Sequence, residues 1–324
     1  MGLDFNPMVA GNIGYLFPGQ GAQFIGMARD LYDSFSAARG VFDQADSILG
    51  FSISEICFQG PEEKLTRTLY AQPALFTASL AAHAVLREKF PEIQPAFAAG
   101  LSLGEFSALV ALKSISFEDG LRLVQKRGEA MEHAAQKNAG TMASILGLSP
   151  KVCESIAREA GCDVANLNSP DQTVLSGPSD SIQRACELAE AAGAKRAIPL
   201  KVGGAFHSSL MMPAKTDLEN ALKATKINSP HGIFIPNVLA TPVSNPEEIR
   251  GLLARQLVSP VRWVETMTAA AASGIVSFLE IGPGKVLKGL ARKCQPGLAV
   301  ESCGSAEDFH KLESFLTKSP KAGS

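Results

Sequence analysis

Short-range cysteine pairing is missing from this 324-residue sequence. Cys57, Cys153, Cys162, Cys186, Cys294 and Cys303 are scattered, with no C-x-x-C step. That spacing excludes a zinc ribbon and a dense disulfide framework, so a reducing, cytoplasmic compartment and no metal are expected. Charge of one sign is missing too. Thirty Lys and Arg against 32 Asp and Glu leave a formal charge of −2, which excludes the strongly basic face of a nucleic-acid binder. Apolar runs are interrupted by glycine, charge or histidine, His83 lying inside the longest, so no membrane span is expected. The first residues, Met1 to Asn6, lack the basic and apolar regions of a signal peptide, and Asn6 stands where myristoylation wants Ser or Thr. Two glycine patterns fall short of phosphate loops. Gly282-Pro283-Gly284-Lys285-Val286 lacks the first glycine and the hydroxyl residue of a Walker loop, and Gly19-Gln20-Gly21 lacks the third glycine of a dinucleotide turn.

What the chain does have is ordinary globular composition, 46% hydrophobic and 19% charged, and repeated strand–loop–helix punctuation. Ile13 to Phe17 reads as a buried strand stopping at Pro18-Gly19. Residues 71–88 read as a helix, Pro95 to Gly100 as a strand, and Leu103 to Leu112 as the helix after it. Ile275 to Glu280 is a further strand, turning at Gly282-Pro283-Gly284 into another helix. Such units predict an α/β fold with a mainly parallel sheet.

The stretch 141–202 has a different rhythm. Strand Thr141 to Leu148, helix Pro150 to Ala160, strands Cys162 to Leu167 and Gln172 to Ser176, helix Asp180 to Ala192 and strand Lys195 to Val202 give the order β-α-β-β-α-β. That is a ferredoxin-like unit, so a small subdomain over 135–203 is expected between the two halves, 1–134 and 204–324, of a larger α/β domain. Lys318 to Ser324 reads as a disordered tail.

Gly100-Leu101-Ser102-Leu103-Gly104 matches G-x-S-x-G between a predicted strand and a predicted helix. On such a turn the flanking glycines let the backbone crowd together and push the serine hydroxyl outward, toward the positive end of the helix. The competing reading is a helix-capping serine between packing glycines. A serine nucleophile needs a base, most often histidine. Of five histidines, His83 and His133 fall in helical stretches, His310 in a charged helix and His231 in an exposed turn. His207, in Gly203-Gly204-Ala205-Phe206-His207-Ser208 just after a predicted strand, is the one a loop presents at the sheet edge. No acidic residue near it announces itself as a third member, and a backbone carbonyl can fix the ring's tautomer instead.

Together these pieces resemble the malonyl-CoA:acyl carrier protein transacylase family. Phe17-Pro18-Gly19-Gln20-Gly21-Ala22-Gln23, Gly100 to Glu105, Gly204 to Ser208, Arg255-Gln256-Leu257 and Ile281 to Leu287 resemble its five motifs, in order, between about Tyr15 and Leu290. The resemblance implies a hydrolase-like core with a ferredoxin-like insertion. It implies Ser102 as nucleophile, His207 as base, and the backbone N–H groups of Gln20 and Leu103 as the oxyanion hole. Arg127, 25 residues after the serine, would bind the malonyl carboxylate, and the Gln256 carbonyl would orient His207. Phe206 would restrict room beside the acyl α-carbon. Malonyl-CoA is then a substrate and no cofactor is implied; the partner is a holo acyl carrier protein, and the state expected is a monomer. One position departs from the family's pattern: Leu101 stands where the motif carries histidine. The rival readings are a serine hydrolase or thioesterase, for which Asp163, Asp171 and Asp180 are poorly placed as triad members, and a non-catalytic carrier-binding homologue.

Overall fold

The computed structural model describes residues 12–318, with side chains to residue 313, so the readings at Met1 to Asn6 and along most of the tail from Lys318 lie outside the described residues. Strand β1 (Ile13–Phe17) is buried at every position. Four short helices follow before α1 (Thr68–Lys89), strand β2 (Pro95–Gly100), α2 (Gly104–Ala111) and α3 (Phe117–Lys137). Next come β3 (Thr141–Leu146), α4 (Pro150–Ala160), β4 (Asp163–Ser169), β5 (Gln172–Gly177), α5 (Ser179–Ala191) and β6 (Arg196–Pro199). The two-residue β7 (Ile233–Phe234), β8 (Ser277–Ile281), α6 (Val286–Cys294) and β9 (Ala299–Cys303) complete the strands.

Two sheets result. One is parallel throughout, in the order β7-β2-β1-β8-β9. Its central strands are mostly apolar and buried, the pattern of parallel strands covered on both faces, while the edge strand β9 exposes Glu301. The other is antiparallel, in the order β4-β5-β3-β6, with α4 and α5 supplying the crossovers of a ferredoxin-like unit. This α/β arrangement is the one the sequence predicts. Its last strand stops at Pro199, three residues before the predicted Val202. Leu200, Lys201 and Val202 turn instead over a cleft between the sheets. The free edge of β4 is covered where Leu167 donates to the Val261 carbonyl and Val261 to that of Ala165, 2.9 and 2.8 Å.

Helix α1 is, among the described residues, the one helix long and apolar enough to cross a membrane, and 78% of its apolar window is buried inside the protein. It lies against α3 at close range. A Cβ on Gly120 would come within 2.7 Å of the Phe76 ring, and one on Gly128 within 3.0 Å of the Thr68 carbonyl. Glycines at these two contacts let the helix backbones approach, which brings Gln72 of α1 against Arg127 of α3.

Candidate active site

The tips of β1 and β2 lie side by side, Phe17 paired with Gly100, and the loops leaving them touch. A Cβ on Gly19 would sit 2.3 Å from the Leu101 carbonyl oxygen, and one on Gly100 would sit 1.8 Å from the Gly104 carbonyl carbon. Only glycine fits either position. Just after Gly100 the chain passes through Ser102 at φ +52°, a left-handed conformation that costs a non-glycine residue on the order of 1 kcal/mol. His207 is held in the same region at φ +57°.

These two strained residues meet. Ser102 Oγ is 2.7 Å from His207 Nε2, and His207 Nδ1 is 2.9 Å from the Gln256 carbonyl oxygen. A carbonyl only accepts, so the neutral ring carries its proton on Nδ1 and turns the Nε2 lone pair toward the serine hydroxyl. Burial, and then the nearby Arg127 guanidinium, push His207 down to about 4, against the opposing pull of its backbone hydrogen bonds. The imidazole is therefore neutral at pH 7, the state a general base requires.

Arg127 comes from the buried face of α3, in register with Val124 and Met131, and is 1% exposed. Its Nη1 donates to Gln72 Oε1 at 2.7 Å, while Nη2 reaches both Ser102 Oγ and Gln256 Oε1 at 2.9 Å. Its guanidinium carbon lies 5.9 Å from the centre of the Phe106 ring. Burial lowers its pKa to about 10, with Glu105 opposing, so it stays charged. The serine oxygen thus accepts from a cation and donates to a base.

A cleft of about 330 Å³ opens onto this group. Gln20, Leu101, Leu103 and Phe206 line it from the large sheet's side, and Met142, Asn166 and Val174 from the small sheet. The backbone N–H groups of Gln20 and Leu103 have no hydrogen-bond acceptor among the described residues. Phe206 is 6% exposed, next to His207. Leu101 is half-buried against an apolar cluster that includes Leu16, Phe97, Ile235 and Leu287, where a polar side chain would lose that contact. Ser102, His207, Gln20, Leu103, Arg127, Phe206 and Gln256 therefore lie at one place. Among the described residues, no three His, Cys, Asp or Glu side chains gather as a metal site would require. His83 is buried in α1 and pushed down to about 4 by that burial, and His133, His231 and His310 lie elsewhere.

Three residues that the sequence reading passed over also belong here. Gln72 anchors Arg127. Asn237 accepts from the Ser102 N–H at 2.7 Å and donates to the Gly100 carbonyl at 2.9 Å. Glu105, fully buried at the start of α2, accepts from the Asn237 N–H. Glu105 closes the elbow motif and was visible in it; Gln72 and Asn237 carry no local pattern that marks them.

The acyl transferase domain family model matches residues 14–310. A malonyl CoA-acyl carrier protein transacylase of Bacillus subtilis is 46% identical over 288 residues, covering 87% of this chain and 90% of the relative. An acyl-carrier-protein S-malonyltransferase structure from Bartonella henselae superposes with a TM-score of 0.90 at 40% identity, over 94% of this chain and 99% of that one. A type II polyketide malonyl-transacylase solved in complex with its holo acyl-carrier protein gives 0.89 at 37%, over 94% and 99%. A strained serine beside a neutral histidine, in a chain this similar along its length to those enzymes, belongs to the acyl transferase domain family.

Proposed function

We propose that the chain moves a malonyl group from coenzyme A to the phosphopantetheine thiol of an acyl carrier protein, through a malonyl ester on Ser102. The observation that carries this reading is the buried Arg127 guanidinium 2.9 Å from Ser102 Oγ. A fixed cation beside a nucleophile suits an acyl group that ends in a carboxylate, held by parallel charge-assisted hydrogen bonds. The names of the relatives and the carrier complex of one of them support the same substrate pair.

In this reading Ser102 Oγ attacks the thioester carbonyl while His207 Nε2 takes its proton. The Gln20 and Leu103 N–H groups receive the oxyanion, and His207 then protonates the departing coenzyme A thiolate. The carrier's thiol gives its proton to His207 and attacks the serine ester; His207 returns that proton to the departing Ser102 Oγ, and the carrier leaves with the malonyl thioester. The Gln256 carbonyl stabilises the imidazolium formed at each step. Phe206 crowds the α-carbon and favours malonyl over branched acyl groups. The chemistry needs no cofactor. The chain acts as a monomer, without nucleic acid or membrane, and its six unbridged cysteines suit a reducing cytoplasm. The domain division follows the two sheets, with 135–203 as the insertion.

Radiolabelled malonyl-CoA and acetyl-CoA, with and without holo carrier, test the reading against Ser102→Ala and Arg127→Ala. Label that requires Ser102, requires Arg127 for malonyl but not for acetyl, and passes to the carrier is the expected result. Label lost to water at one rate with or without carrier would make the chain a hydrolase. A folded wild type that takes no label would leave only a carrier-binding role.

A further inference from the structure

We infer that Asn237 is a positioning residue for acylation, holding Ser102 in its reactive geometry through the backbone; this rests on the reading of Ser102 as nucleophile. Asn237 lies 135 residues from Ser102, on the segment after β7, and is fully buried. It is not among the residues lining the cleft, so it acts through its neighbours. All of its polar groups are engaged. Oδ1 accepts from Ser102 N at 2.7 Å, Nδ2 donates to Gly100 O at 2.9 Å, its carbonyl accepts from Arg262 N at 3.1 Å, and its N–H meets the Glu105 carboxylate.

Two of these bonds bracket the left-handed turn. A carboxamide offers an acceptor and a donor side by side, so one side chain grips the backbone on both sides of Leu101. Gln256 Nε2 grips the far side, donating to Ser102 O at 3.0 Å. Strained backbone persists only where the surroundings over-determine it, and these contacts do so. They also occupy the N–H of Ser102 itself, while that of Leu103, a cleft residue, meets no acceptor among the described residues. Glu105 fixes the clamp from behind by holding the Asn237 main chain.

Two variants test this by single-turnover acylation with malonyl-CoA, below their melting temperatures. Asn237→Ala is expected to slow acyl-enzyme formation about 100-fold with substrate affinity within about twofold, the loss typical of a misplaced reacting atom. Asn237→Asp keeps the acceptor but loses the donor to Gly100 until the new carboxyl is protonated. Burial beside Glu105 raises that carboxyl's pKa, opposed by the Arg127 guanidinium that already acts on Glu105. Its rate relative to wild type is therefore expected to climb as pH falls from 8 to 6, while the Asn237→Ala ratio stays level. A merely structural residue would lower the melting temperature and move neither readout. Wild-type acylation rates in both variants, or a loss confined to affinity, would overturn the inference while leaving the transferase reading intact. A folded wild type without label on Ser102 would overturn both.

Discussion

Two turns of this molecule share a plan and differ in outcome. β2 runs through Gly100 to Gly104 into α2, and β8 runs through Gly282 to Lys285 into α6. The strands flank β1 on either side. Each turn has a buried glutamate, Glu105 and Glu280. In the β8 turn the positive-φ positions are glycines, Gly282 at +129° and Gly284 at +86°. Glu280 folds its carboxylate onto the start of α6, accepting from Leu287 N and Lys288 N at 2.9 and 2.8 Å. That helix end is closed by its own strand's side chain. In the β2 turn the left-handed position holds serine, and the glutamate reaches away to Asn237. The N–H of Leu103 is left open as a consequence. One turn is built for stability, and the other gives some of it up to leave a nucleophile and a donor exposed to the cleft.

The largest effect comes from swapping the special residue of the active turn. Ser102→Gly and Ser102→Ala should both lower acylation by about 10⁴-fold or more, since the nucleophile is gone. They should differ in stability, because glycine takes φ +52° freely and alanine does not. Ser102→Gly is expected to be the more stable by about 1 kcal/mol in urea unfolding. Equal stability would mean that the turn is not strained.

The converse swap comes next. A Cβ on Gly282 would lie 2.3 Å from Ser79 Oγ and 3.1 Å from the Pro18 ring, at a φ that favours glycine. Gly282→Ala should cost about 2–4 kcal/mol, within the range of overpacked core sites. Pro18 precedes the Gln20 loop, so acylation should slow as well. Unchanged melting would show that the β8 turn has slack that the structure does not display.

Much of this contrast was legible in the sequence, and the reasons are physical. β1, β2 and β8 were readable as largely apolar runs that glycine and proline end; β7, two residues long, and β9, which carries the exposed Glu301, were not. Ser102 was readable because its motif is contiguous. Arg127 had a second signal in helical spacing, since its register with Val124 and Met131 puts it on the buried face of α3. Gln72 and Asn237 were not readable, because each meets its partners across long separations in sequence. Of the helices between Ala28 and Arg67, three are too short to show a period, while Ser36–Leu49 carries a helical apolar spacing at Ala38, Phe42, Ala45 and Leu49 that was there to be read.

The smallest expected effect is on the pH dependence of stability, and it separates the two glutamates. Burial pushes Glu280 up to about 7 and Glu105 up to about 8. A carboxyl raised in the folded state holds its proton more tightly there than in the unfolded chain. Raising the pH from the ordinary carboxylate range through the folded value therefore removes stability. The two buried histidines act oppositely, but His83 and His207, pushed down to about 4, exert that effect below their ordinary value of 6.5. Above about pH 6.5 the histidine effect tails off and the carboxyls outweigh it, so wild-type stability should fall by roughly 1 kcal/mol or more by pH 8. Glu280→Gln removes the titrating group and should remove the earlier part of that decline, at a cost of about 1 kcal/mol near pH 6 because its amide nitrogen cannot accept one of the two backbone N–H groups at the start of α6. Glu105→Gln should remove the later part; its first oxygen keeps the bond from Asn237, while its second has no hydrogen-bond partner among the described residues, so an amide there would bury an unpaired donor. Urea unfolding across the range reads both slopes. A decline left whole in Glu280→Gln but lost in Glu105→Gln would assign the titration to the active turn alone, and would mean that the hydrogen bonds closing the β8 turn keep its glutamate ionised despite burial.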